Sequence, residues 1–309
     1  MTTQQTSLVG PWGHDYGAVA RVLECFRGER ILFVPNRGNG GDTLITLGAT
    51  TLLDRLGLEY ETGDHRADCR GRVVVYSGGG NLVAPYRNLR KFIARTEPTA
   101  AAFVILPHTV RAWPETLAAM GPQSVVFARE APSLAYLQAH LTRAGAELSH
   151  DMAFLLDPAQ FGALRPPLVG YLDQVRLRRQ LVRAVRLGQM ALARLRDRGA
   201  PLRAFRTDIE ARKGRTLPAV NFDLSQMFAA DDMSAWSCAV TARALAAAIA
   251  PYATVETDRL HVAILATLMG RQVRMFDNAY GKNRDIFLHS LQGYFGNVRL
   301  QAEAADQAG

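Results

Sequence analysis

Two cationic side chains, Arg259 and His261, stand two residues apart in the stretch "TDRLHVAILATLMG" (257–270), just ahead of a nearly unbroken apolar run. A helix starting near 258–259 puts both in its first turn. Its N-terminus carries partial positive charge, so cations there call for an external anion to compensate them. An arginine fork suits a carboxylate or phosphate. An imidazole beside a bound dianion is favoured in its protonated form and can act as an acid once substrate is present. Arg206 and Asp208, in "FRTD" (205–208), are a second candidate, either a surface pair or a fork for an anion.

Further candidates follow apolar runs in the first half. "NRGNGGD" (36–42) opens a helix. Gly38, Gly40 and Gly41 let backbone N–H groups approach a ligand, Asn39 sits among them, and Asp42 reads as a helix cap or a ligand group. The loop is neither GxGxxG nor GxxxxGK[ST]. "SGGGNL" (77–82) places Gly78, Gly79, Gly80 and Asn81 after a strand, a run hard to explain by packing alone. His108 ends "LPHT" (106–109), as a cleft base or a satisfied imidazole. "SHDMAF" (149–154) pairs His150 with Asp151, where a carboxylate can take a proton from a hydroxyl or cap a turn.

These residues need a scaffold that gathers strand ends. The chain has 309 residues, 48% apolar and 21% charged, enough for two domains with real cores. Strands are expected at 30–35, 72–77, 101–109, 124–130 and 148–156, and helices at 42–57 and 131–145. After a break at 157–167, strands are expected within 201–211, at 253–258 and at 271–278, and helices at 234–252, 259–270 and 280–293, with a frayed tail from Leu300. Continuous apolar strands alternating with helices indicate an α/β fold with parallel sheets, which bind ligands at the carboxyl ends of their strands. The expectation is two Rossmann-like domains facing across a cleft, 1–165 and 166–309.

The net charge is +8. Between Tyr171 and Gly199 there are eight arginines against Asp173 and Asp197. At 100° per residue Arg176, Arg179, Arg183, Arg186, Arg194 and Arg198 fall opposite Leu177, Leu181, Val185, Leu192 and Leu195. This helix (171–199) is either a solvated linker packed on one side or a surface for anionic lipid or a lipid-diphosphate-linked substrate. No nucleic-acid motif occurs. No apolar run reaches about 18 residues, and no signal-peptide pattern is found. The three cysteines form neither a metal spacing nor a disulfide framework. A cytoplasmic protein is expected, with contact at the inner membrane face left open.

Taken in order, "NRGNGGDTLI", "YSGGGNL", "ILPHT", "FAREAPS", "HDMAF", "FRTD", "TDRLHVAILATLMGRQV" and "FDNAYGKN" resemble the polysaccharide pyruvyl transferase family, from about residue 31 to 284. The resemblance implies a fold like that of two-domain, GT-B-like glycosyltransferases. It implies transfer of the enolpyruvyl carbons of phosphoenolpyruvate onto two hydroxyls of a sugar during exopolysaccharide assembly. Residues 1–165 would then be the acceptor side and 166–309 the donor side. Arg259 and His261 match the family's Arg-Leu-His signature, with His261 as acid and Arg259 as donor holder. Arg206 matches a second donor-binding arginine, and Lys282 and Asn283 fall in the last matching segment. Asp151 or Asp42 is the expected base. No cofactor or metal is implied, phosphoenolpyruvate being the donor substrate, and no nucleic acid is an expected partner. The family commonly has serine shortly before the signature where this chain has Thr257 and Asp258, and Gln where it has His108. A glycosyltransferase using a nucleotide sugar, and a non-catalytic sugar- or phosphate-binding protein, stay open as alternatives.

Overall fold

The computed structural model describes residues 8–163, 177–230 and 232–302. The chain divides into two compact units, one of Met1–Arg37 with Leu44–Leu156, the other of Gly38–Thr43 with Asp157–Gly309. Each carries its own parallel sheet, so the fold is α/β.

Unit 1 is built on seven strands: β1 (Ile31–Val34), β2 (Tyr60–Thr62), β3 (Val73–Tyr76), β4 (Gly79–Leu82), β5 (Ala102–Val110), β6 (Ser124–Ala128) and β7 (Gly145–Leu148). Their order is β2-β1-β3-β5-β6-β7, with β4 pairing β5 beyond the end of β3. Period-2 alternation splits the core into two layers. Ile31, Phe33, Val73 and Val75 pack with α1 (Gly17–Glu24) and α2 (Gly40–Arg55). Leu32, Val34, Val74 and Tyr76 pack with α3 (Asn88–Thr96), α4 (Pro114–Ala119) and α5 (Ala131–His140).

Several elements differ from the sequence expectation. Helix α5 ends at His140 rather than Gly145, because Leu141 is extended (ψ 132°) and Thr142 and Arg143 donate to the carbonyls of Ala118 and Ala119. The strand expected at 148–156 ends at Leu148, and Asp151 instead caps a buried 3-10 turn over Met152–Leu155. Strands β2 and β4 and helices α1, α3 and α4 carry weak sequence signals and were not expected.

Unit 2 holds α6 (Leu177–Arg196), β8 (Leu202–Arg203), α7 (Leu224–Met227), α8 (Ala235–Ile249), β9 (Thr254–Thr257), α9 (Leu260–Leu268), β10 (Gln272–Met275), α10 (Lys282–Ile286) and β11 (Val298–Leu300). The strand order is β11-β10-β9-β8. Helix α9 is apolar all round, and every residue in it except His261 is buried. Gly270, at φ +71°, supplies the left-handed residue that ends it. The pairing of β8 with β9 ends after Ala204, whose N–H still bonds the Glu256 carbonyl, because side chains take over the donors that follow: Phe205 N–H bonds Asn221 Oδ1 and Arg206 N–H bonds Asp258 Oδ1. Strand β11 has no counterpart in the sequence expectation; its last residue, Leu300, is the first of the expected frayed tail, whose residues after 302 lie outside the described residues.

The long basic helix is present over Leu177–Arg196, and the part of the expected span at 171–176 lies outside the described residues. The helix packs on one side, through Met190 at 4% exposure, while Leu181, Val185, Leu192 and Leu195 are 57–66% exposed. Among the described residues no helix is long and apolar enough to cross a membrane, and all three cysteines are free thiols.

Candidate functional site

In unit 2 the parallel strands β8, β9 and β10 deliver their carboxyl ends to one edge of the sheet. The loops leaving them carry the charged residues. Arg259 occupies the position before α9 in an extended conformation, with its N–H bonded to Thr257 Oγ1 at 2.9 Å. Its guanidinium is 3% exposed and fully engaged. Nε and Nη2 grip the two oxygens of Asp223 at 2.8 and 2.5 Å, and Nη1 reaches Asp208 at 2.6 Å. Asp208 also holds Arg206 Nε at 2.9 Å. Arg206 Nη1 pairs with Glu210 at 2.8 Å, and Glu210 takes Lys282 Nζ at 2.8 Å.

The network is a chain of alternating charge: Arg206, Arg215, Arg259 and Lys282 are matched one for one by Asp208, Glu210, Asp223 and Asp258. Burial would raise the pKa of Asp208, but Arg206 and Arg259 reverse this and hold it lowered. Burial of Arg206 works against its charge, and Glu210, Asp208 and Asp258 more than offset it, so its pKa is raised. Asp258, a surplus anion on sequence grounds, has a structural post. Its carboxylate accepts the Arg206 N–H at 2.7 Å and pairs with Arg215 Nη1 at 2.7 Å. Burial nonetheless pushes its pKa up.

His261 is the second residue of α9, and its ring lies against the start of α2. A Cβ placed on Gly41 would stand 2.4 Å from His261 Nδ1 and 2.9 Å from Cγ. The loop before α2 forms a capping box. Asn39 Oδ1 accepts the Gly41 N–H at 2.8 Å, and Asp42 Oδ2 reaches back to the Asn39 N–H at 2.8 Å. Asn39 is therefore the cap and Asp42 the reciprocal partner. Gly38 is small because that carboxylate fills its side-chain space, 1.9 Å from an added Cβ. The sequence-predicted residues Arg206, Asn39, Gly40, Asp42, Arg259, His261, Lys282 and Asn283 thus all lie in unit 2. Asn283 Nδ2 ties the carbonyls of Asp258 and Phe276 at 2.6 and 2.9 Å, fixing two loops to each other.

Unit 1 gathers a neutral polar cluster at the carboxyl ends of β1, β3 and β5. Asn81 Nδ2 donates to Asn36 Oδ1 at 2.7 Å, the Tyr76 hydroxyl to the same oxygen at 3.1 Å, and His108 Nε2 lies 2.6 Å from Asn81 Oδ1. Burial, then the nearby Arg129 charge, lowers the His108 pKa well below 6.5, against the opposing pull of Asp151. The imidazole is neutral at physiological pH. Packing explains two of the glycines after all. A Cβ on Gly78 would lie 2.8 Å from the Pro107 carbonyl, and one on Gly79 within 3.1 Å of Asn36 and 3.2 Å of His108. Gly80 is half-buried beside them.

Asp151 does not join this cluster's open edge. It is 1% exposed, pairs with buried Arg129 at 2.6 Å and accepts the Ala153 N–H at 2.9 Å. That is a structural post, and it gives no support to Asp151 as the base. Sequence reasoning missed Asp223, Glu210, Arg215, Asn36, Tyr76 and Arg129. Asn36, Tyr76 and Arg129 lie within segments already quoted, and Asp223 followed three residues later by Gln226 is a cap pattern that the structure forms at α7. Among the described residues no group of three or more His, Cys, Asp or Glu side chains is placed to hold a metal ion.

A family model described as polysaccharide pyruvyl transferase matches residues 39–280. A crystal structure of a functionally uncharacterised protein from Klebsiella pneumoniae subsp. pneumoniae is similar in fold. It aligns with TM-score 0.72 and 24% identity over 93% of this chain and 98% of that one. A comparison with the curated proteins finds no match.

Proposed function

Because the chain belongs to the polysaccharide pyruvyl transferase family, we propose that it moves the enolpyruvyl carbons of phosphoenolpyruvate onto two hydroxyls of one sugar. The products are a pyruvate ketal and inorganic phosphate. The observation that carries this reading is the meeting of two helix N-terminal turns in unit 2. Gly41 of α2 abuts His261 of α9, and the clamped Arg259 stands at the start of α9. Backbone N–H groups, helix dipoles and a fixed guanidinium suit a donor bearing a carboxylate and a phosphate.

The steps follow from these groups. His261, protonated beside the bound dianion, gives its proton to C3 of the enol. C2 becomes an oxocarbenium centre and takes one sugar oxygen. That hydroxyl's proton returns to the imidazole through water. The second hydroxyl then bonds C2, the C2–O bond to phosphate breaks, and the last proton leaves with the phosphate. Arg259, Arg206 and Lys282, clamped in place by their carboxylate partners, supply a fixed positive field that favours the donor's charge. In this reading the sugar hydroxyls are met by the Asn36–Tyr76–Asn81–His108 cluster, whose neutral donors and acceptors suit a polyol. The two units would then form a GT-B-like arrangement, the enzyme would serve exopolysaccharide assembly, and it would act in the cytoplasm.

The test is phosphate release from phosphoenolpyruvate with a panel of nucleotide-linked and lipid-linked sugars, alongside His261→Ala and Arg259→Ala. Expected is release with a pyruvyl adduct, reduced about 10²–10⁴-fold in His261→Ala. No release and no adduct across the panel, together with thermal stabilisation by nucleotides but not by phosphoenolpyruvate, would overturn the reading in favour of a glycosyltransferase.

A further inference from the structure

Helix α6 is seated the wrong way round for a surface helix of a globular protein. At 100° per residue Leu181, Val185, Leu192 and Leu195 share one narrow sector, and they are 61%, 60%, 57% and 66% exposed. The side that rests on unit 2 is the opposite one. There Met190 is 4% exposed and its carbonyl accepts the Tyr252 hydroxyl at 3.4 Å. A surface helix ordinarily turns its apolar stripe to the core. Here the stripe faces solvent, and Arg186, Arg194, Arg196 and Arg198 are exposed on the same segment. Val220 of unit 2, which lines the same hollow as Leu192 and Arg194, adds a further 46% exposed apolar side chain.

We propose that α6 is a docking surface for anionic lipid, lying in the plane of the bilayer with its leucine–valine stripe in the acyl boundary and its arginines on headgroup phosphates. The charge selects the occupant. The segment 171–199 carries eight arginines against two aspartates. Pairing α6 with a second copy would cover the stripe but bring two strongly positive helices together. An anionic bilayer covers the stripe and neutralises the charge at once. The 20 residues of α6 extend about 30 Å at 1.5 Å per residue, long enough to lie along a surface and too charged to cross it. The proposal is independent of the activity assigned above.

The experiment is sedimentation of the full-length protein with phosphatidylcholine vesicles, with and without about 30% phosphatidylglycerol, at low and high salt. Expected is binding to the anionic vesicles, weakened by salt. In the double variant Leu192→Glu/Leu195→Glu it falls about tenfold or more, with the thermal midpoint unchanged because both positions are exposed. A Leu192→Trp variant, left otherwise intact, reads insertion directly as a blue shift of its fluorescence. Three outcomes each overturn the proposal: no preference for anionic vesicles, binding undiminished in the double variant, or a stable dimer that the double variant abolishes without any vesicle binding.

Discussion

Gly41→Ala is the most incisive perturbation of the candidate site, because it adds one methyl group and changes no charge. The added carbon would stand 2.4 Å from His261 Nδ1, where ordinary contact begins at 3.4 Å. Its next neighbours are Cγ of the same ring at 2.9 Å and Asn39 Oδ1 at 3.0 Å. The backbone of α2 is fixed by the capping box, so the imidazole is what yields, by about 1 Å. A displacement of that size in a catalytic group costs about 10²-fold in rate, or about 2.7 kcal/mol of transition-state stabilisation. Stability should hardly change. Overpacking against a side chain that can swing away costs about 1 kcal/mol, and alanine in a helix recovers up to about 1 kcal/mol over glycine. The assay is steady-state phosphate release from phosphoenolpyruvate with a working acceptor, alongside a thermal melt. Expected is kcat reduced about 10²-fold, KM for phosphoenolpyruvate changed little because Arg259 is untouched, and a midpoint shift of a few degrees at most. The double variant Gly41→Ala/His261→Ala should be no worse than His261→Ala alone, since both act through one group. A Gly41→Ala enzyme within about threefold of wild type would refute the placement of the proton donor at His261.

Three other outcomes are expected. Gly48→Ala should be destabilised by about 3 kcal/mol or more in urea unfolding, since its added carbon meets the Met152 backbone oxygen at 1.9 Å and backbone must move. Asp223→Asn should lose about 2–4 kcal/mol in the same experiment. It should recover more stability from added phosphate than the wild type does, because an anion can take the place of the lost charge at Arg259. Stability should fall as pH drops below 6.5: the unfolded chain then binds a proton at His108 that the folded chain refuses, its folded pKa lying well below that value. The limiting slope is about 1.4 kcal/mol per pH unit. His108→Gln should flatten the pH profile of the urea midpoint, leaving the smaller contribution of His65, whose pKa burial also lowers.

What could be read from the chain divides along physical lines. Strands β1, β3, β5 and β6 were legible because strands buried on both faces are written as continuous apolar runs. The first turn of α9 was legible because Arg259 and His261 are incongruous there. Their counterions were not. Asp223 lies 36 residues from Arg259 and Asp208 51 residues away, and no local pattern pairs residues at such separations. Asp258 looked like an obstacle for the same reason, since its partners Arg206 and Arg215 are remote in sequence. Periodicity disclosed that α6 is amphipathic but not which side finds a neighbour. That is decided by tertiary contacts such as Tyr252 with Met190.

The alternating chain Arg215–Asp258–Arg206–Asp208–Arg259–Asp223, with Glu210 and Lys282 branching from Arg206, also restricts how this sequence can diverge. Asp208, Glu210 and Asp258 each pair with two basic residues, so replacing any one of them takes a partner from two donors in a buried setting. Descendants of this chain can therefore alter that edge of the sheet only by compensated exchanges of several positions together. Exposed Ile209, between two of these anchors, is free to drift. The network is a unit of inheritance as much as a unit of charge.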